Sequence, residues 1–329
     1  MTQIVDIDQF EAGLSGCVIR MRPRPSDAHP FFADATVAAL VADAMAHTKP
    51  VHLSGLSGTG KTHFLGSLLE VAENLDLLCA ALDAPRWPQL RVHRIPVGVY
   101  ETPNEMFYLP RVENFTSVEE PQPVLRALMA AEEDAAALHV VWLEELGRGI
   151  TPAVQSSLLG LVGEQVIHEP RGRVFELPNV AFVCDSNYAA NTAGQFVLYD
   201  LDQAVARRWL RRITMVPLAP EHEVAVLKEI MPEATDTQVR QVVALAVGIR
   251  RKQSEGALRS IVPPTIDAEL ECLRGMCRGL ADVRTNVFTT LLGHCDPERD
   301  TDEAETVYAE AFGVQVKTTT PAGEAVGIL

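Results

Sequence analysis

Gly55, Gly60, Lys61 and Thr62 stand at the spacing G-x-x-x-x-G-K-[ST], with a further glycine, Gly58, inside the run GLSGTGKT. That spacing describes a phosphate cradle. Glycines let successive backbone N–H groups turn inward around phosphate oxygens, and a helix N-terminus behind them adds its dipole and unpaired donors. Lys61 would then reach the β and γ phosphates, and the Thr62 hydroxyl would ligate magnesium. Gly55, Ser57, Gly58, Thr59, Gly60, Lys61 and Thr62 are accordingly the candidate nucleotide contacts, with ATP and Mg2+ as the expected ligands. A second candidate is HVVWLEELGRG, His139 to Gly149, an apolar run that closes on two carboxylates. At the end of a buried parallel strand, Glu144 would hold magnesium, usually through water, and Glu145 would orient or deprotonate the attacking water. Two solvated glutamates at the end of an ordinary strand are the alternative.

These groups need a frame that brings them together. Pro50 to Leu53 reads as a short buried strand, and Phe64, Leu65, Leu68, Leu69 and Ala72 recur at helical spacing after it, so the chain runs strand, glycine loop, helix. A helix over Phe31 to His47 leads into that strand, and a further helix spans about Val124 to Ala137. Arg91 to Val99 alternates like a strand, His139 to Glu144 and Asn179 to Asn187 read as buried strands, and Arg212 to Leu218 is the last. Pro152 to Val162 is helical, and Glu164 to Asn179 reads as a hairpin around Pro170-Arg171-Gly172. The expected fold is α/β: a doubly wound core with a five-stranded parallel sheet over residues 31 to 218, with inserts at about 100 to 120 and 164 to 179. Residues 1 to 30 carry the proline-and-arginine stretch IRMRPRPS and are expected to be a strap or linker. Beyond Pro220 the periodicity is helical throughout, which gives a small all-α domain over 219 to 295, and residues 296 to 329 read as an acidic tail whose end is disordered.

Composition narrows the partners. Of 329 residues, 47% are hydrophobic and 22% charged, the balance of an ordinary globular chain. A net charge of −16 argues against a broad phosphate-neutralising surface and so against a nucleic-acid partner. No apolar span reaches membrane length and no leader-like N-terminus is present, so a cytoplasmic protein without membrane insertion is expected. The six cysteines form no C-x-x-C pair and the nine histidines no metal-binding motif, so reduced thiols and no transition metal are expected.

The order of these motifs resembles that of MoxR-type AAA+ ATPases, a group that includes CbbQ and GvpN. GLSGTGKT is similar to the family's Walker A, and WLEELGRG to its Walker B, written L-D-E-I-N-R-A. TPAVQSSLLGLVGEQ resembles the family segment that follows, and ELPNVAFVCDSN resembles L-P-x-x-F-x-x-x-A-T-x-N-P, which implies that Asn187 is sensor 1. DLDQAVARRWL resembles A-L-x-D-R-F, which implies an arginine finger at Arg208, with Arg207 its nearest competitor. The Arg207, Arg208, Arg211, Arg212 cluster has two other readings, a solvated basic face and a nucleic-acid contact. The resemblance further implies an AAA+ P-loop core followed by a lid domain, and a homo-oligomeric ring, usually hexameric. It also implies ATP hydrolysis coupled to remodelling of a protein partner, in this family often one with a von Willebrand A-like domain, and inserts that line a pore. A nucleic-acid motor or loader and a nucleotide-gated scaffold with weak hydrolysis are the alternatives. Three positions depart from the pattern: Glu144 replaces an aspartate, Tyr188 replaces a proline, and Ser260-Ile261-Val262-Pro263-Pro264 lacks the sensor 2 arginine, for which Arg250 and Arg259 are unranked substitutes.

Overall fold

The computed structural model describes residues 3–113, 115–146, 150–162, 166–169, 171–187, 203–258, 262–279, 281–296 and 298–314. The chain divides into two compact units, Met1–Leu218 and Ala219–Leu329.

The first unit begins with three short strands, β1 (Ile4–Asp6), β2 (Val18–Arg20) and β3 (Phe32–Asp34), with β1 parallel to β2 and β2 antiparallel to β3. Two segments of the stretch expected to be a strap or linker, Ile4–Asp6 and Val18–Arg20, thus form part of a sheet. The stretch's spaced apolar residues Val5, Ile7, Phe10, Ile19 and Met21 are buried in the same cluster as Leu53 and Phe64. Asp34 then caps α1 (Ala35–Ala46), accepting from the amides of Thr36 and Val37 at 2.9 and 3.0 Å, which satisfies two of the helix's open donors.

The core follows as β4 (Val51–Gly55), α2 (Lys61–Leu69), α3 (Ala72–Ala81), β5 (Leu90–Pro96), α4 (Pro103–Phe107), β6 (Tyr108–Glu113), β7 (Thr116–Pro121), α5 (Pro123–Glu133) and β8 (Leu138–Glu144). Next come α6 (Pro152–Leu158), β9 (Val166–His168), β10 (Val174–Glu176), β11 (Val180–Ser186), α7 (Gln203–Arg208) and β12 (Arg211–Met215). Five strands pair in the order β12-β4-β11-β8-β5, every pair parallel, as the alternation of buried strands and helices predicts. The double winding is visible within β8 itself. Leu138, Val140 and Trp142 pack into the cluster built with α1, α2 and α3, whereas Val141 and Leu143 pack into the cluster built with α5 and α6. A strand covered on both faces is apolar at nearly every position, which is why Val140 to Leu143 of β8 read as a continuous run.

Both inserts are hairpins. The segment at 100 to 120, read from sequence only as a long polar stretch, folds as the short helix α4 and the antiparallel pair β6 and β7. In the second, β9 pairs antiparallel with β10, as the alternation of Glu164 to Asn179 predicts; residues 163–165 and Pro170 lie outside the described residues. Arg171 links the two hairpins, pairing with Glu119 of β7 and lying 4.0 Å over the Tyr108 ring.

The second unit contains α8 (Pro220–Ile230), α9 (Asp236–Ser254), α10 (Ile266–Arg278), α11 (Val283–Thr290) and α12 (Thr301–Phe312), with no strand among its described residues. Thr235 and Gln238 form a reciprocal capping box at α9, and Thr265 and Asp282 cap α10 and α11. α12 lies in the stretch expected to be an acidic tail. Its acidic residues open the helix, while Ala304, Val307 and Tyr308 are buried in this unit's core. Gly248 of α9 makes room for it, since a Cβ there would stand 2.7 Å from Val307 Cγ1. Residues 315–329 of the expected tail lie outside the described residues. No helix among the described residues is long and apolar enough to cross a membrane.

Candidate active site

β4 is flanked on both sides in the sheet, and its C-terminal end turns directly into the glycine loop. Gly55, Gly58 and Gly60 have φ of 153°, 81° and 82°, backbone that side-chain-bearing residues rarely adopt. At Gly55 the exclusion is also steric, since a Cβ would stand 2.3 Å from the Met215 carbonyl oxygen of β12. Gly60 is the N-cap of α2, so Lys61 and Thr62 open that helix and its free amides face the loop.

Lys61 is buried, and its Nζ donates to the carbonyls of Gly55 and Leu56 at 3.0 and 2.8 Å. Burial lowers its pKa to about 8, against an upward pull from the nearby Asp185 carboxylate. An ammonium curled over the loop on two carbonyls can exchange them for phosphate oxygens, which would restore its charge.

Thr62 Oγ1 donates to Asp185 Oδ2 at 3.0 Å, and Trp142 Nε1 donates to Asp185 Oδ1 at 2.8 Å. Asp185 lies near the end of β11, in register with Leu53 of β4, and is only 3% exposed. Sequence reasoning missed it. The one available signal was a buried strand, VAFVCDS, that ends in polar residues.

Glu144 was expected beside the magnesium. The structure instead holds it against Arg94 of β5, whose Nε donates to Glu144 Oε1 at 3.1 Å and whose Nη2 reaches the same oxygen. Arg94 also bonds Glu70, at the end of α2, at 2.8 Å and lies 4.4 Å over the Trp142 ring. The register explains this: Arg94 pairs with Trp142 and Pro96 with Glu144, so the guanidinium runs along the neighbouring strand toward the carboxylate. Glu145, the next residue, is exposed and has φ of 53°, a left-handed conformation uncommon for glutamate. Residues 147–149 of the Walker B-like segment lie outside the described residues.

Asn187 is half-buried and follows Ser186, which pairs with Ser54 of β4, so the amide stands next to the start of the glycine loop. Ser186 Oγ lies 2.7 Å from Nε2 of buried His52, whose pKa burial and the charge of Arg212 lower to about 4. Tyr188 and residues 200–202 of the finger-like segment lie outside the described residues. Within the arginine cluster, Arg211 pairs with Asp43 at 3.4 Å and Arg212 donates to the Ala206 carbonyl at the end of α7. Arg207 is exposed and Arg208 half-buried, while Trp209 is fully buried against His52. Of the sensor 2 substitutes, Arg250 is engaged in its own unit by Glu223 and Glu269, both at 2.7 Å. Arg259, Ser260 and Ile261 lie outside the described residues.

Among the described residues no group of three or more His, Cys, Asp or Glu gathers at metal-binding distance. The donors beside the loop are the Thr62 hydroxyl and a buried carboxylate, hard oxygens that suit a magnesium ion keeping most of its water.

No family model matches the chain, and no curated protein matches it. Among solved structures it is similar to a protein of Cytophaga hutchinsonii ATCC 33406 described as a candidate ATPase, at 14% identity with a TM-score of 0.37, over 83% of this chain and 88% of that one. It is also similar to a proline-to-glycine variant of RuvB from Thermotoga maritima, at 13% identity with a TM-score of 0.38, over 87% and 82% of the two chains. At these identities the side chains, not the likeness, carry the functional argument.

Proposed function

We propose that the chain is an Mg-ATP hydrolase of the AAA+ type that works as a homo-oligomeric ring and remodels a protein partner. The observation that carries this reading is the convergence at one end of the parallel sheet. The glycine loop leaves β4, Asn187 and Asp185 stand at the end of β11, and Glu145 follows β8. Ligands of open α/β sheets bind at that carboxyl end. The helix N-terminus and loop amides would hold the phosphates, Lys61 would neutralise them, and Thr62 with a strand-end carboxylate would hold magnesium. Bound magnesium would supply charge neutralisation on the transferred phosphoryl group. Glu145 would orient water, Asn187 would hold that water or read the terminal phosphate, and Arg208 would serve a neighbouring subunit.

A partner with a von Willebrand A-like domain is part of the proposal through the resemblance alone. The fully exposed Phe115 at the turn between β6 and β7, with exposed Val112 and Val118, offers apolar surface for such contact. Two observations favour slow turnover, as in a nucleotide-gated scaffold: Glu144 is engaged by Arg94, and Arg250 is committed to buried carboxylates. Nucleotide titration and phosphate release test both readings. Lys61→Ala should abolish ATP binding, and Glu145→Gln should bind ATP while hydrolysing it at least about 100-fold more slowly. Undiminished hydrolysis by Glu145→Gln would remove that residue from its role. Basal turnover that no candidate partner raises would favour the scaffold.

A further inference from the structure

Two strand-end acids stand near the loop, and their partners distinguish them. Asp185 belongs to β11, the immediate neighbour of β4, whereas Glu144 belongs to β8, one strand further away. Neighbouring strands lie about 4.8 Å apart, so the offset between the two carboxylates is close to one strand spacing. Cys184 pairs with Leu143, and the next pair in that register is Asp185 with Glu144, so both acids project from the same face of the sheet. That face carries α2, which brings Thr62.

The two carboxylates are engaged differently. Glu144 accepts from two nitrogens of one guanidinium, which Glu70 holds in turn. A charge-assisted pair of this kind would have to break before Glu144 could turn to a cation. Among the described residues Asp185 has no cationic hydrogen-bond partner of this kind. One of its oxygens is fixed by the Trp142 indole, and among the described residues the other accepts from the Thr62 hydroxyl, the group expected to enter the magnesium shell. The carboxylate is 3% exposed and faces Thr62, with Lys61 near enough to feel its charge, so a divalent cation beside Thr62 would find an oppositely charged, buried oxygen donor in place.

We propose that Asp185, rather than Glu144, is the carboxylate that orders the hydration shell of nucleotide-bound magnesium, and that Glu144 with Arg94 and Glu70 is a positioning cluster bracing the end of β8 against α2. The proposal rests on the ATPase reading above, and it explains how a glutamate can stand at the Walker B aspartate position. The aspartate function has moved one strand toward the loop.

The test compares binding of a fluorescent ATP analogue by full-length protein in magnesium and in EDTA. For wild type, magnesium should tighten binding about 10-fold or more. Asp185→Asn should lose that enhancement while keeping the weaker EDTA affinity, and Glu144→Gln should retain the enhancement. Loss of the enhancement in Glu144→Gln with retention in Asp185→Asn would overturn the assignment. If the wild type binds no nucleotide in either condition, the ATPase reading falls instead. Because Asp185 is buried and its amide variant could unfold, a crystal structure of the wild type with magnesium and a non-hydrolysable analogue gives an independent reading. The carboxylate nearest the metal should be Asp185, at about 4 Å through one water. Glu144 nearest the metal, with Arg94 displaced, would overturn the proposal.

Discussion

Glu145 combines an expected chemical role with an uncomfortable backbone. At φ of 53° its Cβ crowds the following carbonyl, a cost of about 1–2 kcal/mol for a residue other than glycine. Strain of this kind is retained when the side chain is needed where the strain puts it. Glu145→Gly removes that strain together with the interactions of the side chain, and should abolish hydrolysis. Glu145→Gln keeps the strain and nearly the same side-chain shape, so denaturant titration of the two variants separates the backbone contribution from that of the carboxylate. The residues that sequence reveals here are those whose role is local. Gly55, Gly58 and Gly60 mark a turn that few other residues can make, and the turn forms as their spacing predicts. Asp185 and Arg94 escaped because their roles are made by strand order: nothing in CDSN or VHRIP states which strand will lie beside β4.

Elements were legible in proportion to their length and burial. β8 and β11, seven residues each with apolar runs that close on polar residues, could be read directly, whereas β1 and β2 have three residues apiece and leave no periodicity. β6 and β7 are mostly exposed and contain Pro110 and Pro121, which removes the alternation that marks a strand. In the second unit, α8, α9 and α10 are joined by a buried charge cluster that a helical pattern cannot disclose. Arg250 bonds Glu223, Glu269 and the Pro264 carbonyl. Burial raises the pKa of both glutamates, and Arg250 opposes the rise without cancelling it. A carboxyl whose folded pKa lies above its unfolded value contributes stability that is fully present below the unfolded pKa, near 4.3, and is lost as pH rises through the folded one. The helical unit should accordingly weaken between about pH 5 and pH 8, by at most roughly 1.4 kcal/mol per pH unit for each carboxyl. Glu269→Gln should flatten that slope. Protection factors of the buried amides in α9 and α10, measured across this range, check it, and identical slopes in the two proteins would refute it.

For the whole molecule, the geometry of the sheet bears on whether one subunit can complete its own site. Arg211, the first residue of β12, pairs with Val51, the first residue of β4, and Met215 pairs with Gly55 at the other end, where the loop begins. Arg208 therefore precedes the end of the sheet opposite the glycine loop, roughly 13 Å of strand away. β12 is also the edge strand, so α7 and its arginines lie at the rim of the sheet. An arginine so placed is poorly positioned to meet its own γ phosphate, which supports the proposal that it serves a neighbour. A contact in which the rim of one subunit meets the loop of the next is head-to-tail, and such contacts close into a ring when the rotation between subunits closes. On the proposed role, in which the arginine acts on the transition state from a neighbouring subunit, Arg208→Ala should abolish hydrolysis while leaving ATP affinity within about twofold. Mixing Arg208→Ala with Glu145→Gln restores competent interfaces wherever the intact Arg208 of one variant meets the intact Glu145 of the other. In rings mixed at random in equal parts, such interfaces are about one quarter of the total, so phosphate release should return to about a quarter of the wild-type rate. The same mixture made with Arg207→Ala identifies the finger, because only loss of the true one is rescued. No recovery in rings shown by native mass spectrometry to contain both variants would mean that Arg208 does not act across the interface.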